Sequence, residues 1–310
     1  MKKILAALLL AAALPATARD LVIAVGAAGD PVYAPIFRKE ADAWAAAGKK
    51  AGFSVATIGL DDKKTPRVEL EKILDALPKT GDDLWLVLIG HGTFDGRSAK
   101  FNLRDDDVSS TELAGWLDPF RRRVVVWNLF SASGAFLPDL SRANRIIIAA
   151  TRSGGERNYS RFGEKLAEIL SSPDADLDGD GTVSLVELVA GATARTVSSY
   201  ENDQRLLSEH AVLDDNGDGA GTESALLLHP APDPTRTPDG AVAATASLSR
   251  DDSTPALNNS QILRRADIEK RIATLRAQKT EMDETAYYEQ LESLMLEMAR
   301  LYQSARGPGR

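Results

Sequence analysis

The sequence predicts an α/β fold, a doubly wound and mostly parallel sheet flanked by helices. Two observations carry that prediction. Along residues 20–170, short apolar runs alternate with segments whose apolar residues recur every three or four positions, the order expected of strand, helix, strand. Two of the runs, Leu84–Ile89 and Val124–Leu129, are apolar at nearly every position, as in a strand covered on both faces.

Each element has its own local signal. Leu21–Val25 reads as the first strand, followed by the turn 26–30 and a helix from Ala34 to Lys50. The glycines of that turn lack the full dinucleotide fingerprint, so it is a tight turn rather than a phosphate cradle. Phe53–Ile58 is the second strand. Thr65-Pro66 starts a helix that carries Leu70, Ile73, Leu74 and Leu77 on one face. The run Ser109-Ser110-Thr111-Glu112 is a capping box before Leu113 and Leu117. Ile146–Ile148 is another buried strand, and Phe162, Leu166, Ile169 and Leu170 share a helix face beyond it.

In an open α/β sheet, chemistry sits outside the carboxyl ends of the strands. The two central runs end there in Gly90-His91-Gly92 and in Phe130-Ser131-Ala132-Ser133-Gly134, so His91 and Ser131 are expected to face one crevice. An apolar strand closed by His-Gly, then about 40 residues on a second closed by nucleophile-x-Ser-Gly, resembles the caspase-like clan of peptidases, nearest to legumain and its bacterial relatives. The resemblance spans roughly residues 20–230. It implies that His91 stands at the family's catalytic histidine, that the Gly92 N–H belongs to the oxyanion hole, and that Ser131 occupies the place of the nucleophilic cysteine. It also implies that the loop Ala150–Glu156 lines the substrate pocket, with Arg152, Glu156 and Arg157 as specificity contacts; solvated loop charges are the plainer account of those three.

The chain has no cysteine. A thiol is already partly ionised near neutral pH, whereas a serine hydroxyl needs a well-aligned base and usually a third group to orient it. Asp95 and Asp30 are the candidate orienting carboxylates.

Met1-Lys2-Lys3, the apolar run Ile4–Leu14 and the small residues Ala16-Thr17-Ala18 make residues 1–18 a secretory signal peptide, with cleavage expected after Ala18 and a periplasmic or secreted product. The run is too short to span a bilayer, and no other segment nears the required length. Without Lys2 and Lys3, 35 of the 37 basic residues remain against 45 acidic ones, a net charge of −10. Such a chain is repelled by nucleic acid and by anionic membranes. With no disulfide available, its stability must come from the core and from bound ions.

The sharpest spacing is Asp176-Leu177-Asp178-Gly179-Asp180-Gly181-Thr182-Val183-Ser184-Leu185-Val186-Glu187, which matches an EF-hand loop position by position. Asp176, Asp178, Asp180, the Thr182 carbonyl, Ser184 and a bidentate Glu187 supply the oxygens that Ca²⁺ requires, between segments that both read as helices. A second acidic run, Asp214–Gly219, lacks the twelfth-position Glu; it is either a looser calcium site or a turn built on Asn-Gly and Asp-Gly. Nearby His210 reads as a structural histidine rather than a ligand.

Residues 19–230 thus form the caspase/legumain-like domain. From 231 to 260, Pro, Ala, Ser, Thr and Asp replace apolar periodicity, as in a flexible linker. In 261–310, Ile268, Ile272, Leu275 and Met282 mark one amphipathic helix and Leu291, Leu294, Met298 and Leu301 another, a helical hairpin or coiled coil for self-association through 261–304, or a pair docked on its own domain. Three functions fit: a non-catalytic homologue binding peptide or a protein partner, a serine-dependent endopeptidase using Ser131 and His91, and a calcium-stabilised assembly factor acting through its C-terminal helices.

Overall fold

The computed structural model describes residues 19–61, 64–170, 172, 175–177, 182–227, 239–250, 259–279 and 282–305. The first half contains β1 (Asp20–Val25), α1 (Tyr33–Lys50), β2 (Ser54–Ile58), α2 (Pro66–Ala76), β3 (Leu84–Ile89), β4 (Gly92–Phe94), β5 (Ala99–Phe101), β6 (Val108–Ser109), α3 (Ser110–Leu117) and β7 (Val124–Leu129). The second contains α4 (Leu137–Leu140), β8 (Arg145–Ala149), α5 (Phe162–Ile169), β9 (Thr182–Ser184), α6 (Leu185–Asn202), β10 (Val212–Asp214), β11 (Thr222–Glu223), α7 (Ser224–Leu227), β12 (Ser247–Arg250), α8 (Asn259–Ala277) and α9 (Glu284–Ala305).

The chain divides into two compact units. The first runs to Leu177 and resumes from Val183 to Ser249; the second holds α8 and α9. In the first, seven strands form one sheet in the order β11-β10-β8-β7-β3-β1-β2. The five strands β8, β7, β3, β1 and β2 are parallel, and β10 and β11 add antiparallel strands at one edge. The expected α/β class, a mostly parallel sheet flanked by helices, is therefore the one observed.

Side-chain alternation assigns the two faces. Leu21, Ile23, Val25, Trp85, Val87, Ile89, Val125, Trp127 and Leu129 pack with Trp44 of α1 and with Phe162 and Leu166 of α5. Val22, Ala24, Leu84, Leu86, Leu88, Val124 and Val126 pack with Leu70 and Leu74 of α2 and Leu113 and Leu117 of α3. Both layers are apolar, which is why these strands read as near-continuous hydrophobic runs. Ser109 caps α3 as expected: its hydroxyl accepts the Glu112 N–H, and the Glu112 carboxylate accepts the Ser109 N–H.

Strand order reverses between β1 and β3, which opens a crevice at their carboxyl ends. Ile89 pairs in register with Val25 on one side and Leu129 on the other, so the residues after β1, β3 and β7 start from one level.

Two features depart from the sequence reading. Residues 92–109 form a small antiparallel sheet, β4-β5-β6, whose strands are too short to show a period. The 231–260 stretch, expected to be a flexible linker, is packed and hydrogen-bonded over 239–250, and its last two residues begin α8. Ala243, Ala246 and Leu248 are buried, and the Asp215 carboxylate accepts the N–H groups of Gly240, Val242 and Ala243. The Asp239 carboxylate takes the Asp215 N–H and the Thr222 hydroxyl, and β12 pairs with β9. Small residues bury here without apolar periodicity because backbone N–H groups, held by buried carboxylates, anchor the segment.

In the second unit, Ile268 and Leu275 of α8 meet Tyr287 and Leu294 of α9 in a core of their own. Among the described residues, no helix is long and apolar enough to cross a membrane.

Candidate functional site

His91 directly follows β3 and Gly90, and its ring is fixed from three sides. Nε2 lies 3.0 Å from the Ala28 carbonyl, which also accepts the Asp30 N–H at 2.8 Å in the turn after β1. Tyr33 and Phe37, one helical turn apart on α1, meet the ring edge-on at 4.8 and 5.2 Å, and Tyr159 closes the cluster at 6.1 Å. The His91 carbonyl accepts the Asn102 N–H, and the Asn102 carbonyl accepts that of Ala27, tying the β1 and β3 turns together. Burial among these rings lowers the imidazole pKa and outweighs the opposing effect of the Ala28 bond, so His91 is neutral at physiological pH. With its proton on Nε2, Nδ1 carries the lone pair.

Ser131 is 4 % exposed. Its hydroxyl donates to the Gly92 carbonyl at 3.2 Å and accepts the Gly92 N–H at 3.4 Å. A side chain at position 92 would collide with the Phe130 ring and the Ser131 carbonyl, so the approach of these two turns requires glycine. The structure brings His91 and Ser131 to adjacent strand ends, but no hydrogen bond joins them. The N–H expected to serve an oxyanion points at the serine oxygen itself.

The turn after Ser131 is held from below. Ala132 adopts the left-handed conformation, φ 59°, and donates its N–H to the Glu156 carbonyl at 2.8 Å. Thr151 accepts the Gly134 N–H on its hydroxyl and donates its own N–H to the Ser133 hydroxyl. The loop expected to line the substrate pocket is therefore also the support of the Ser131 turn.

The three expected specificity residues differ in how far they are committed. Glu156 accepts the N–H groups of Arg152 and His210 and lies 2.6 Å from His210 Nδ1. Arg152 pairs with Glu156 and Glu223. Arg157 is exposed, with one long bond of 3.5 Å to the Gly154 carbonyl. Neither proposed orienting carboxylate reaches His91: Asp30 accepts the Val32 N–H, and Asp95 accepts those of Arg97 and Ser98. The Ala28 carbonyl takes that part instead. No sequence pattern marks a main-chain oxygen, and Tyr33, four residues before Phe37, stands one residue before the predicted helix.

Of the expected calcium ligands, Asp178 and Asp180 lie outside the described residues. Thr182 and Ser184 belong to β9, and Asp176 precedes it. Glu187 is 6 % exposed; it accepts the Leu177 N–H at 2.8 Å and the Ser184 N–H at 2.7 Å and completes a capping box at the start of α6. Both oxygens of this twelfth-position carboxylate are engaged by N–H groups of the second and ninth loop positions. In the second acidic run, Asp214 accepts the N–H groups of Gly217 and Gly219, both at positive φ, and Asp215 holds 240–243, so these carboxylates serve a turn and a docked segment.

No family model matches the chain, and no curated protein does. Among solved structures it is similar to a protein of Geobacter sulfurreducens, at 17 % identity and TM-score 0.41, covering 57 % of this chain and 89 % of that one. It is similar to the Drosophila initiator caspase Dronc at 12 % identity and TM-score 0.43, covering 67 % and 83 %, and to caspase-1 of Spodoptera frugiperda at 11 % and 0.39, covering 64 % and 87 %. Likeness at this level carries no argument about chemistry.

Proposed function

We propose that this chain is an exported, calcium-binding homologue of the caspase- and legumain-like peptidases whose crevice binds peptide or a protein partner and hydrolyses little or nothing. The observation that carries the proposal is the position of the Ser131 hydroxyl, engaged on both sides by the backbone of Gly92 and unbonded to His91. A serine without an aligned base stays protonated and is a poor nucleophile.

Labelling the mature protein with a fluorophosphonate, read by intact mass with and without Ca²⁺, tests it. Absence of label supports the proposal. Label lost in both Ser131→Ala and His91→Ala would replace it with the second reading, a Ser131–His91 endopeptidase. That reading is favoured by one observation: anchoring of His91 Nε2 on Ala28 leaves Nδ1 as a neutral base.

Calcium belongs to the same proposal, with Asp176, Asp178, Asp180, Thr182, Ser184 and Glu187 as its ligands. Calorimetric titration with Ca²⁺ should give one saturable event that Glu187→Gln removes. Export is tested by the N-terminus of the mature chain, expected at Arg19. Self-association through α8 and α9 is favoured by Tyr288, Met295 and Leu296, apolar residues exposed on α9. Sedimentation of the full mature chain and of a chain ending before residue 259 tests it; if both sediment as monomers, self-association through these helices is dismissed.

A further inference from the structure

Beside α6, behind the loop that supports Ser131, lies a recess of about 150 Å³ bordered by Ala150, Phe162, Val197, Leu207, Ala211 and Ala225. Its inner end is core: Ala150, Phe162 and Ala211 are buried. The charged groups at its edge are already engaged. Glu209 accepts from Ser160, Tyr200 and the N–H groups of Arg161 and Phe162; His210 Nδ1 is on Glu156; Glu223 pairs with Arg152. An anionic ligand would lose water here and meet the Glu209 and Glu223 carboxylates, so the space excludes anions, and its apolar inner end suits an uncharged apolar group. The volume is close to that of an enclosed apolar cavity that holds one benzene ring, although this recess is partly open and Thr193 brings to its lining a buried hydroxyl, unpartnered among the described residues. The wall is also joined to the candidate site: His210 holds the Glu156 carboxylate, and the Glu156 carbonyl holds the N–H of Ala132, next to Ser131.

We propose that this recess binds a single uncharged apolar ring of the size of benzene or toluene, and that its occupancy is transmitted to the Ser131 turn through His210 and Glu156. This goes beyond the crevice reading and does not require Ser131 to bind or cleave anything.

The test is a titration of the ¹⁵N-labelled mature protein with toluene, with benzoate as the charged control. Saturable amide shifts at Leu207 and Ala225, accompanied at the same affinity by shifts at Ala132 and Glu156, are expected with toluene and not with benzoate. Ala225 is exposed at the rim, so Ala225→Trp blocks the mouth without disturbing the core; it should weaken toluene by roughly tenfold or more. His210→Ala should keep the Ala225 response and lose that of Ala132. The proposal fails if toluene gives no saturable shift up to its solubility, or if its shifts survive Ala225→Trp. It also fails if Ala132 does not respond in the wild type, or if a phenylalanine-bearing peptide shifts these amides while toluene does not.

Discussion

Sulfur and oxygen differ little in valence and greatly in acidity, and the chemistry at position 131 turns on that difference. The turn, Gly92 and the anchored His91 form a setting in which a thiol, partly ionised by itself, would need less from the histidine than a hydroxyl does. Ser131→Cys is therefore expected to react with iodoacetamide at pH 7, and the reaction to slow by about tenfold or more when His91→Ala is added; mass spectrometry over time measures both. A thiol that reacts no faster than free cysteine would show that the His91 setting is inert. At Glu156 the expected effect is on order rather than reactivity. Glu156→Ala leaves the His210 and Arg152 N–H groups without their acceptor, at a cost of roughly 1–3 kcal/mol. The main-chain bond from Ala132 survives only if the loop stays in place, so faster hydrogen exchange at Ala132 would report that it has moved.

Elements differed in how plainly the sequence announced them. The parallel strands were legible because burial on both faces writes an unbroken apolar run, and β3 and β7 begin and end where those runs do. Ile148 sits at the centre of such a run and is fully buried, so Ile148→Ala should cost roughly 2–5 kcal/mol in chemical denaturation. Helix starts were legible where capping chemistry is local, as at Ser109 with Glu112. The short strands β4, β5, β6, β10, β11 and β12 were not, since a period cannot show in so few positions. The order of 239–250 was hidden for another reason: it is held by Asp215, which lies 25 to 28 positions away in sequence, and by Arg19, which donates to the Ser247 and Leu248 carbonyls from the position before the first strand. At the site, the residue types and their strand ends were readable, but the partner each polar atom would choose was not. Glu156 read equally well as a specificity contact and as a loop charge, and only the fold reveals it holding His210.

For the whole molecule, buried carboxylates set the response to pH. Burial raises the pKa of Glu40, Glu209, Asp215 and Asp239, so each binds its proton more tightly in the native than in the unfolded chain. The stability they contribute is present in full below the ordinary carboxylate range near pH 4 and is lost as pH rises through the raised folded values. Glu112, lowered to about 2 by Arg67 and Ser109, has the opposite sign and matters only in stronger acid. These four carboxylates are therefore expected to lower the melting temperature as pH rises above the ordinary carboxylate range, opposed near neutrality by His91, whose lowered pKa has the opposite sign. Glu40→Gln, which cannot ionise, should flatten that slope; an unchanged slope would remove Glu40 from the account.

Arg19 donates to the carbonyls of Ala51, Ser247 and Leu248 and lies over the Phe53 ring at 4.1 Å. The residue that leads into the first strand is thereby joined to a segment made almost 230 positions later. A growing or threading chain can assemble the parallel sheet early, but it cannot close this clasp until nearly the whole first unit has been delivered. A chain ending between Leu227 and Ser247 lacks the acceptors of two of these three Arg19 bonds, so this seam cannot close in it.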